Sequence, residues 1–198
     1  MTGLRAYGHS WIAGAGASHP TRRFVELVAC RLGCSATNLG VGGSLSTDTA
    51  RLLSRLRRPT SDVHLVMTGL NDARLQGASA QGLESYAAAL TAIFGALSRG
   101  KSGARLITVE QPHLLDYSLH TPHHRGSDDI IDAYNERLRA VALAHRGLVL
   151  VTVEPWNPAM MLAEDTVHPN DAGHARVADE VVRAVRQAAP EFDTPRSA

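Results

Sequence analysis

The feature that most constrains the fold of this chain is an alternation between short apolar runs bounded by turn residues and longer stretches whose apolar residues recur at helical spacing. Val63-His64-Leu65-Val66-Met67, Leu106-Ile107-Thr108-Val109 and Leu148-Val149-Leu150-Val151-Thr152-Val153 are the clearest runs. Each is strand-length and nearly continuous in apolar residues, so each reads as a strand buried on both faces. Between them, Ala87, Leu90, Ile93, Phe94 and Leu97 share one face of a helix. So do Ile130, Tyr134, Leu138 and Val141, and later Val177, Val181, Val182 and Val185. A weaker strand over 4–8, a helix from Thr21 to Leu32 and a strand over Ala36 to Leu39 complete a βαβα order. Strands of this kind joined through helices form a parallel sheet covered on both sides. The expected fold is α/β, a five-stranded parallel sheet in an open three-layer α/β/α sandwich with right-handed crossovers.

At 198 residues the chain suits one domain with a single core, ending in a polar, proline-bearing stretch over 189–198 that reads as a frayed tail. With 20 Lys+Arg against 19 Asp+Glu the formal charge is +1, which offers no summed field to nucleic acid or an anionic membrane. No apolar run approaches the roughly 20 residues that span a bilayer, so integral membrane association is not expected. No secretory pattern opens the chain, and the expected location is cytoplasmic. Cys30 and Cys34 lie four apart on an expected helix, a spacing that suits reduced packing residues better than a disulfide or redox pair.

In an open α/β sheet, ligands gather beyond the carboxyl ends of the strands. Ser10 follows the first expected strand, Gly40 to Gly43 the second and Asn71 the third, while His168 lies in the loop before the last helix. These residues can therefore converge on one crevice. A serine hydroxyl needs an imidazole to take its proton during attack, and the imidazole needs an acceptor that fixes its tautomer. The Asp165-Thr166-Val167-His168-Pro169 segment supplies both, because residues three apart in a turn can face the same way. Asn170 or Asp171 is placed to cap the following helix. The backbone amides of Ser10 and Gly43 and the side-chain amide of Asn71 could receive a developing oxyanion. A glycine at 43 lets substrate approach the backbone without a Cβ in the way.

These residues carry a family resemblance. The chain resembles the SGNH hydrolases, the GDSL-like lipase and esterase family, with four blocks matched in order across residues 8–174. Gly8-His9-Ser10 is similar to the nucleophile block and Asn38-Leu39-Gly40-Val41-Gly42-Gly43 to the glycine block. Gly69-Leu70-Asn71-Asp72 is similar to the asparagine block, and Asp165 to Pro169 to the acid and base block. The resemblance implies a flavodoxin-like sandwich without metal or organic cofactor. It implies Ser10 as nucleophile, His168 as base, Asp165 as its orienter and the Gly43 amide in the oxyanion hole. The implied substrate class is broad: esters, thioesters, acetylated sugars and, less often, acyl transfer to another alcohol or amine. One position departs: the family usually has aspartate before the serine, and here it is His9. The change leaves the nucleophile in place but alters the hydrogen bonding of its turn, and a second imidazole there could charge below neutrality or contact substrate.

The irregular stretch from Gln111 to Asp129 reads as a lid or pocket wall, because a long loop inside a compact domain is often functional. His9, Trp11, Leu70, Leu114 and Trp156 are the candidate substrate contacts, with Leu115 and Tyr117 also available. His120, His123 and His124 lack the companions and spacing of a zinc site. Gly14-Ala15-Gly16-Ala17-Ser18 could suggest a phosphate turn but has neither a Walker lysine nor the dinucleotide glycine spacing. The expected activity is hydrolysis of an ester or thioester through an acyl-Ser10 intermediate. Two alternatives stay open: an acyltransferase passing the same acyl group to an acceptor other than water, and a catalytically silent ligand-binding protein on this fold.

Overall fold

A computed structural model describes residues 3–56 and 60–188. The expected tail at 189–198 lies outside the described residues. The first strand, β1, spans Gly3–Gly8 and leads into a single helical turn, α1, at Ser10–Ala13. Helix α2 covers Phe24–Leu32, β2 Ser35–Gly40, α3 Ser46–Arg55 and β3 Val63–Met67. Then come α4 at Leu70–Gln76, α5 at Ala80–Ser98, β4 at Arg105–Val109 and α6 at Asp128–Leu143. The chain closes with β5 at Leu148–Val151, α7 at Pro158–Met161 and α8 at Asp171–Ala188.

The five strands form one parallel sheet in the order β2-β1-β3-β4-β5. From β1 the chain first runs outward to β2 and then returns past β1 to β3. The loops leaving β1 and β3 therefore diverge, and the crevice at such a switch point is where open α/β sheets bind ligands. Helices α2 and α8 pack on each other over one part of the sheet, while α5 packs against both α3 and α6. Central β3 is buried along its whole length, as its unbroken apolar run requires. Each large apolar side chain so buried contributes about 1.5–3 kcal/mol, which makes this strand the anchor of the core.

Differences from the sequence-based expectation fall at element ends. The helix expected from Thr21 divides into a 3-10 turn at Pro20–Arg22 and α2, because Arg23 between them is extended at φ −66° and ψ 140°. Gly33 closes α2 in the left-handed region, at φ 62°. Cys34 thus lies beyond the helix that holds Cys30, and the exposed Cys30 is not a packing residue; both are free thiols. Strand β5 stops at Val151, short of Val153, because its pairing with β4 ends at Val109. Edge strand β2 is exposed over its first half, consistent with its polar Ser35-Ala36-Thr37-Asn38. Among the described residues no helix is long and apolar enough to cross a membrane.

Candidate active site

Ser10 sits where β1 turns sharply into α1. Gly8 makes the turn possible: it adopts φ 141°, and a Cβ there would lie 1.8 Å from the Met67 carbonyl oxygen at the end of β3. The next amide, His9 N–H, donates to the same oxygen at 3.4 Å. His9 then caps α1 by accepting the Trp11 N–H on its ring Nδ1 at 3.3 Å. Ser10 is thereby fixed as the first residue of α1, largely buried, at 7% exposure.

The imidazole that meets it comes from the loop before α8. His168 Nε2 accepts from the Ser10 hydroxyl at 2.9 Å, and Nδ1–H donates to Asp165 Oδ2 at 2.5 Å. The other carboxylate oxygen of Asp165 accepts the Val167 N–H at 3.1 Å and the His168 N–H at 2.9 Å. Burial raises the Asp165 carboxyl pKa, but hydrogen bonds from the His168 backbone, the His168 ring and the Val167 amide outweigh it and hold the group below the ordinary aspartate value. Thr166 takes φ 63° to close this tight turn. Of the two candidate caps, Asn170 is the one used: its Oδ1 accepts the Gly173 N–H at 3.0 Å, and its amide ties back to the Met160 and Leu162 carbonyls. The Trp11 indole N–H donates to the Val167 carbonyl at 3.0 Å and links the two turns.

Asn71 and the glycine loop complete the centre. Asn71 follows Gly69, the cap of α4, and its side-chain amide donates to the Ser44 carbonyl at 3.0 Å. Next to it, buried Asp72 accepts the Ser46 N–H at 2.9 Å and the Ser46 hydroxyl at 2.5 Å, so the first turn of α4 holds the loop from Val41 to Ser46. Burial raises the Asp72 pKa, against the lowering effect of those hydrogen bonds. Gly43 has φ 74° and no protein atom within 4 Å of where a Cβ would stand. Glycine is therefore required here by backbone conformation. Among the described residues neither the Ser10 nor the Gly43 amide N–H donates to a protein acceptor. A hydroxyl aligned on an imidazole, an imidazole oriented by a carboxylate, and uncommitted donors nearby form an arrangement suited to acyl transfer.

The expected substrate contacts lie in different settings. His9 and Trp11 are fully buried, and Leu70 and Leu114 are nearly so; Trp11, Leu70 and Leu114 belong to the apolar core. Half-buried Trp156 packs against Trp11 with ring centroids 5.5 Å apart and planes tilted by 32°. It lines a cavity of about 310 Å³ with Gln111, His113 and Asn135, a lining that does not include Ser10. Leu115 is exposed, whereas the Tyr117 hydroxyl accepts the Leu114 N–H and donates to Asp128. A second cavity, about 330 Å³ and mainly apolar, runs along Gly8, Leu39, Val41 to Ser44 and Leu52. His9 does not charge near neutrality: burial foremost, then repulsion from His168 and Arg74, push its pKa down to about 3 against the raising effect of Gln111. Ser18 offers no phosphate turn, since its N–H and hydroxyl both donate to the Asp171 carboxylate at 2.9 and 2.6 Å.

Two buried residues near the centre had no motif to announce them. Arg74, three residues after Asn71, is 3% exposed and donates to the Leu119 carbonyl at 2.9 Å, tying the irregular loop to α4. Gln111 begins that loop, and its backbone is clamped by Asn135 from α6. Among the described residues no group of three or more His, Cys, Asp or Glu side chains is placed to hold a metal ion.

Comparison with known proteins follows the same lines. A family model described as GDSL-like Lipase/Acylhydrolase family matches residues 6–176. Among solved structures, an α/β hydrolase enzyme from the metagenome of Lake Arreo, Spain, is 22% identical with a TM-score of 0.69, covering 97% of this chain and 96% of that one. A mutant of an acetyl-xylooligosaccharide esterase from Geobacillus stearothermophilus is 19% identical at a TM-score of 0.71, covering 98% and 97%. The lipase/acylhydrolase from Enterococcus faecalis is 18% identical at 0.73 and covers 100% of both chains. At these identities the likeness is one of fold. No curated protein matches the chain significantly.

Proposed function

The chain belongs to the GDSL-like lipase/acylhydrolase family, and from that premise we propose that it hydrolyses a small-molecule ester or thioester through an acyl group carried on Ser10. Ser10 Oγ attacks the substrate carbonyl while its proton passes to His168 Nε2. Asp165 keeps the His168 hydrogen on Nδ1, which leaves Nε2 free to accept, and steadies the imidazolium that forms. The carbonyl oxygen becomes an oxyanion facing the amides of Ser10 and Gly43 and the side-chain amide of Asn71. Collapse of the tetrahedral intermediate breaks the bond to the leaving alkoxide or thiolate, which takes the proton from His168. Water then gives a proton to His168 and attacks the acyl carbon, and Ser10 is regenerated with release of the acid. The observation that carries this reading is the continuous chain from Ser10 Oγ to His168 at 2.9 Å and from His168 to Asp165 at 2.5 Å.

Intact-mass labelling with a small fluorophosphonate tests it. Wild type should gain one adduct, and Ser10→Ala and His168→Ala should gain none while remaining folded. An adduct that persists on Ser10→Ala, or a folded wild type that takes up neither this probe nor a smaller one, defeats the assignment. After labelling, a panel of acetyl esters, longer acyl esters and thioesters defines the acyl preference.

A further inference from the structure

His9 stands where the family usually has aspartate, and its environment specifies what its ring does. Nδ1 accepts the Trp11 N–H at 3.3 Å. A neutral imidazole has one N–H, and the accepting nitrogen cannot bear it, so the hydrogen is on Nε2. That Nε2 is buried and has no hydrogen-bond partner. Gln111 offers the complement: its Oε1 is also buried without a partner, while its Nε2 is committed to the Pro112 carbonyl at 3.2 Å. Gln111 is also the side chain that faces His9 and favours a proton on its ring. A buried donor and a buried acceptor are each costly alone and satisfy one another as a pair.

Gln111 is itself unusually well fixed. Its N–H donates to Asn135 Oδ1 at 3.0 Å, and its carbonyl accepts from Asn135 Nδ2 at 2.9 Å. Asn135 is buried on α6, a helix that contributes nothing directly to the Ser10–His168–Asp165 chain. We propose that Gln111 is a positioning residue for the nucleophile turn: its carboxamide oxygen takes the His9 Nε2–H, completing a buried chain from Asn135 through Gln111 and His9 to the Trp11 amide. Ser10 lies between the residue that gives this chain its ring and the residue whose amide ends it. The chain therefore sets the orientation of α1, and with it the direction of the Ser10 hydroxyl and amide. The inference rests on the assignment of Ser10 as nucleophile. The charged and titratable groups that face His9 are His168 from the acid–base turn and Arg74 from α4, and both oppose a proton on it. The ring stays neutral and keeps Nδ1 available to the Trp11 amide.

The first test does not depend on activity. Long-range nitrogen–proton NMR on the ¹⁵N-labelled full chain, with His9 assigned by His9→Gln, should show its hydrogen on Nε2 and a shift of that signal in Gln111→Met. A hydrogen on Nδ1, or a ring that titrates between pH 6 and 7, overturns the proposal whatever the enzyme does. The second test is kinetic, with p-nitrophenyl acetate as probe. Gln111→Met should lower kcat roughly 10- to 100-fold with KM within about twofold, the pattern of a group that serves only the chemical step. Gln111→Glu keeps an acceptor and should approach wild-type kcat above about pH 8. Its carboxylate favours a charged His9, which cannot accept the Trp11 N–H, so the acid limb of kcat/KM should move to higher pH. Wild-type kcat in Gln111→Met, or equal loss in both variants at every pH, defeats the proposal. If Gln111→Met does not fold, the ring tautomer and the Gln111→Glu profile decide. If Ser10 takes no label, the assigned chemistry fails while the tautomer still tests the hydrogen bond.

Discussion

The acid–base turn and the nucleophile turn meet at one hydrogen bond but are held by different means. The Asp165 carboxylate bonds residues two and three positions ahead, and the same loop closes on itself through Ala163 N–H to the His168 carbonyl at 2.7 Å. The turn is part-exposed, and its carboxylate–imidazole pair is set within six residues, while the irregular loop adds contacts to its backbone from Leu115 and His120. The nucleophile turn instead depends on distant partners. Met67 on β3 receives the His9 amide, Asn38 on β2 donates to the Ile12 carbonyl at 2.6 Å, and Val167 receives the Trp11 indole. One half of the site is thus local chemistry and the other is a product of the whole sheet, and the two should fail differently when perturbed.

The sharpest difference should come from Asp165→Asn. The asparagine oxygen can still accept the Val167 and His168 amides, so the local turn persists, but its NH₂ group now faces His168 Nδ1 and favours the wrong tautomer. We expect kcat to fall by about 10³- to 10⁴-fold with little change in thermal midpoint. A loss under tenfold would mean that Asp165 serves only the backbone. Asn71→Ala perturbs the distant side and should show mixed behaviour. Loss of one oxyanion donor costs about 10²- to 10³-fold in kcat, and loss of the tie to the Ser44 carbonyl adds a stability decrease of about 1 kcal/mol. Kinetics and chemical denaturation on the same preparation separate the two. A stability change without a kinetic one would limit Asn71 to bracing the glycine loop.

The same contrast explains how much was legible in the sequence. Asp165 and His168 announce themselves because the carboxylate–imidazole contact falls inside one short motif, and a helix cap at Asn170 or Asp171 follows from the same stretch. The parallel sheet was legible because β3 and β4 must be buried on both faces to account for their apolar runs. The surroundings of Ser10 were not. The sequence leaves His9 open to charge below neutrality or to contact substrate, but burial around it is set by β3, α4 and the loop after β4, none of which is adjacent in sequence. Trp11 and Leu70 lie beside site residues and so looked substrate-facing, yet the close approach of the strand ends carries them into the core. The pairing of Gln111 with Asn135, 24 residues apart, follows no spacing rule and becomes visible only in three dimensions.

Buried histidines extend the comparison to pH. His64 on β3 and His174 on α8 are fully buried, and burial, the largest cause in each, pushes their pKa values down to about 4 from 6.5. His9 is pushed down to about 3. Between these values and 6.5 the unfolded chain binds protons that the folded chain refuses, so stability is full above about pH 6.5 and declines as pH falls toward 4. For one histidine with a folded value near 4, the loss between pH 7 and pH 5 is on the order of 2 kcal/mol. His174→Gln should flatten the urea midpoint against pH by about that amount, even if it lowers stability at pH 7. An unchanged slope would mean that His174 charges as readily folded as unfolded.

The smallest expected effect tests the seam between the two regions. The Trp11 indole N–H donates to the Val167 carbonyl at 3.0 Å, so the residue after the nucleophile grips the residue before His168. Trp11→Phe keeps an aromatic ring against Trp156 but removes that donor and leaves the Val167 carbonyl unsatisfied beside a small void. The hydrogen bond and its orphaned partner together are worth about 1–2 kcal/mol, which denaturation midpoints should report. Because Asp165 orients His168 within its own turn, the imidazole should remain correctly tautomeric and lose only registration with Ser10. We expect a fall in kcat of about three- to tenfold with no change in the pH at which activity rises. A loss as large as that of Asp165→Asn would show that the acid–base turn is not self-sufficient and takes its geometry from the nucleophile side. An unchanged kcat would show that the Ser10–His168 hydrogen bond holds its register without the indole.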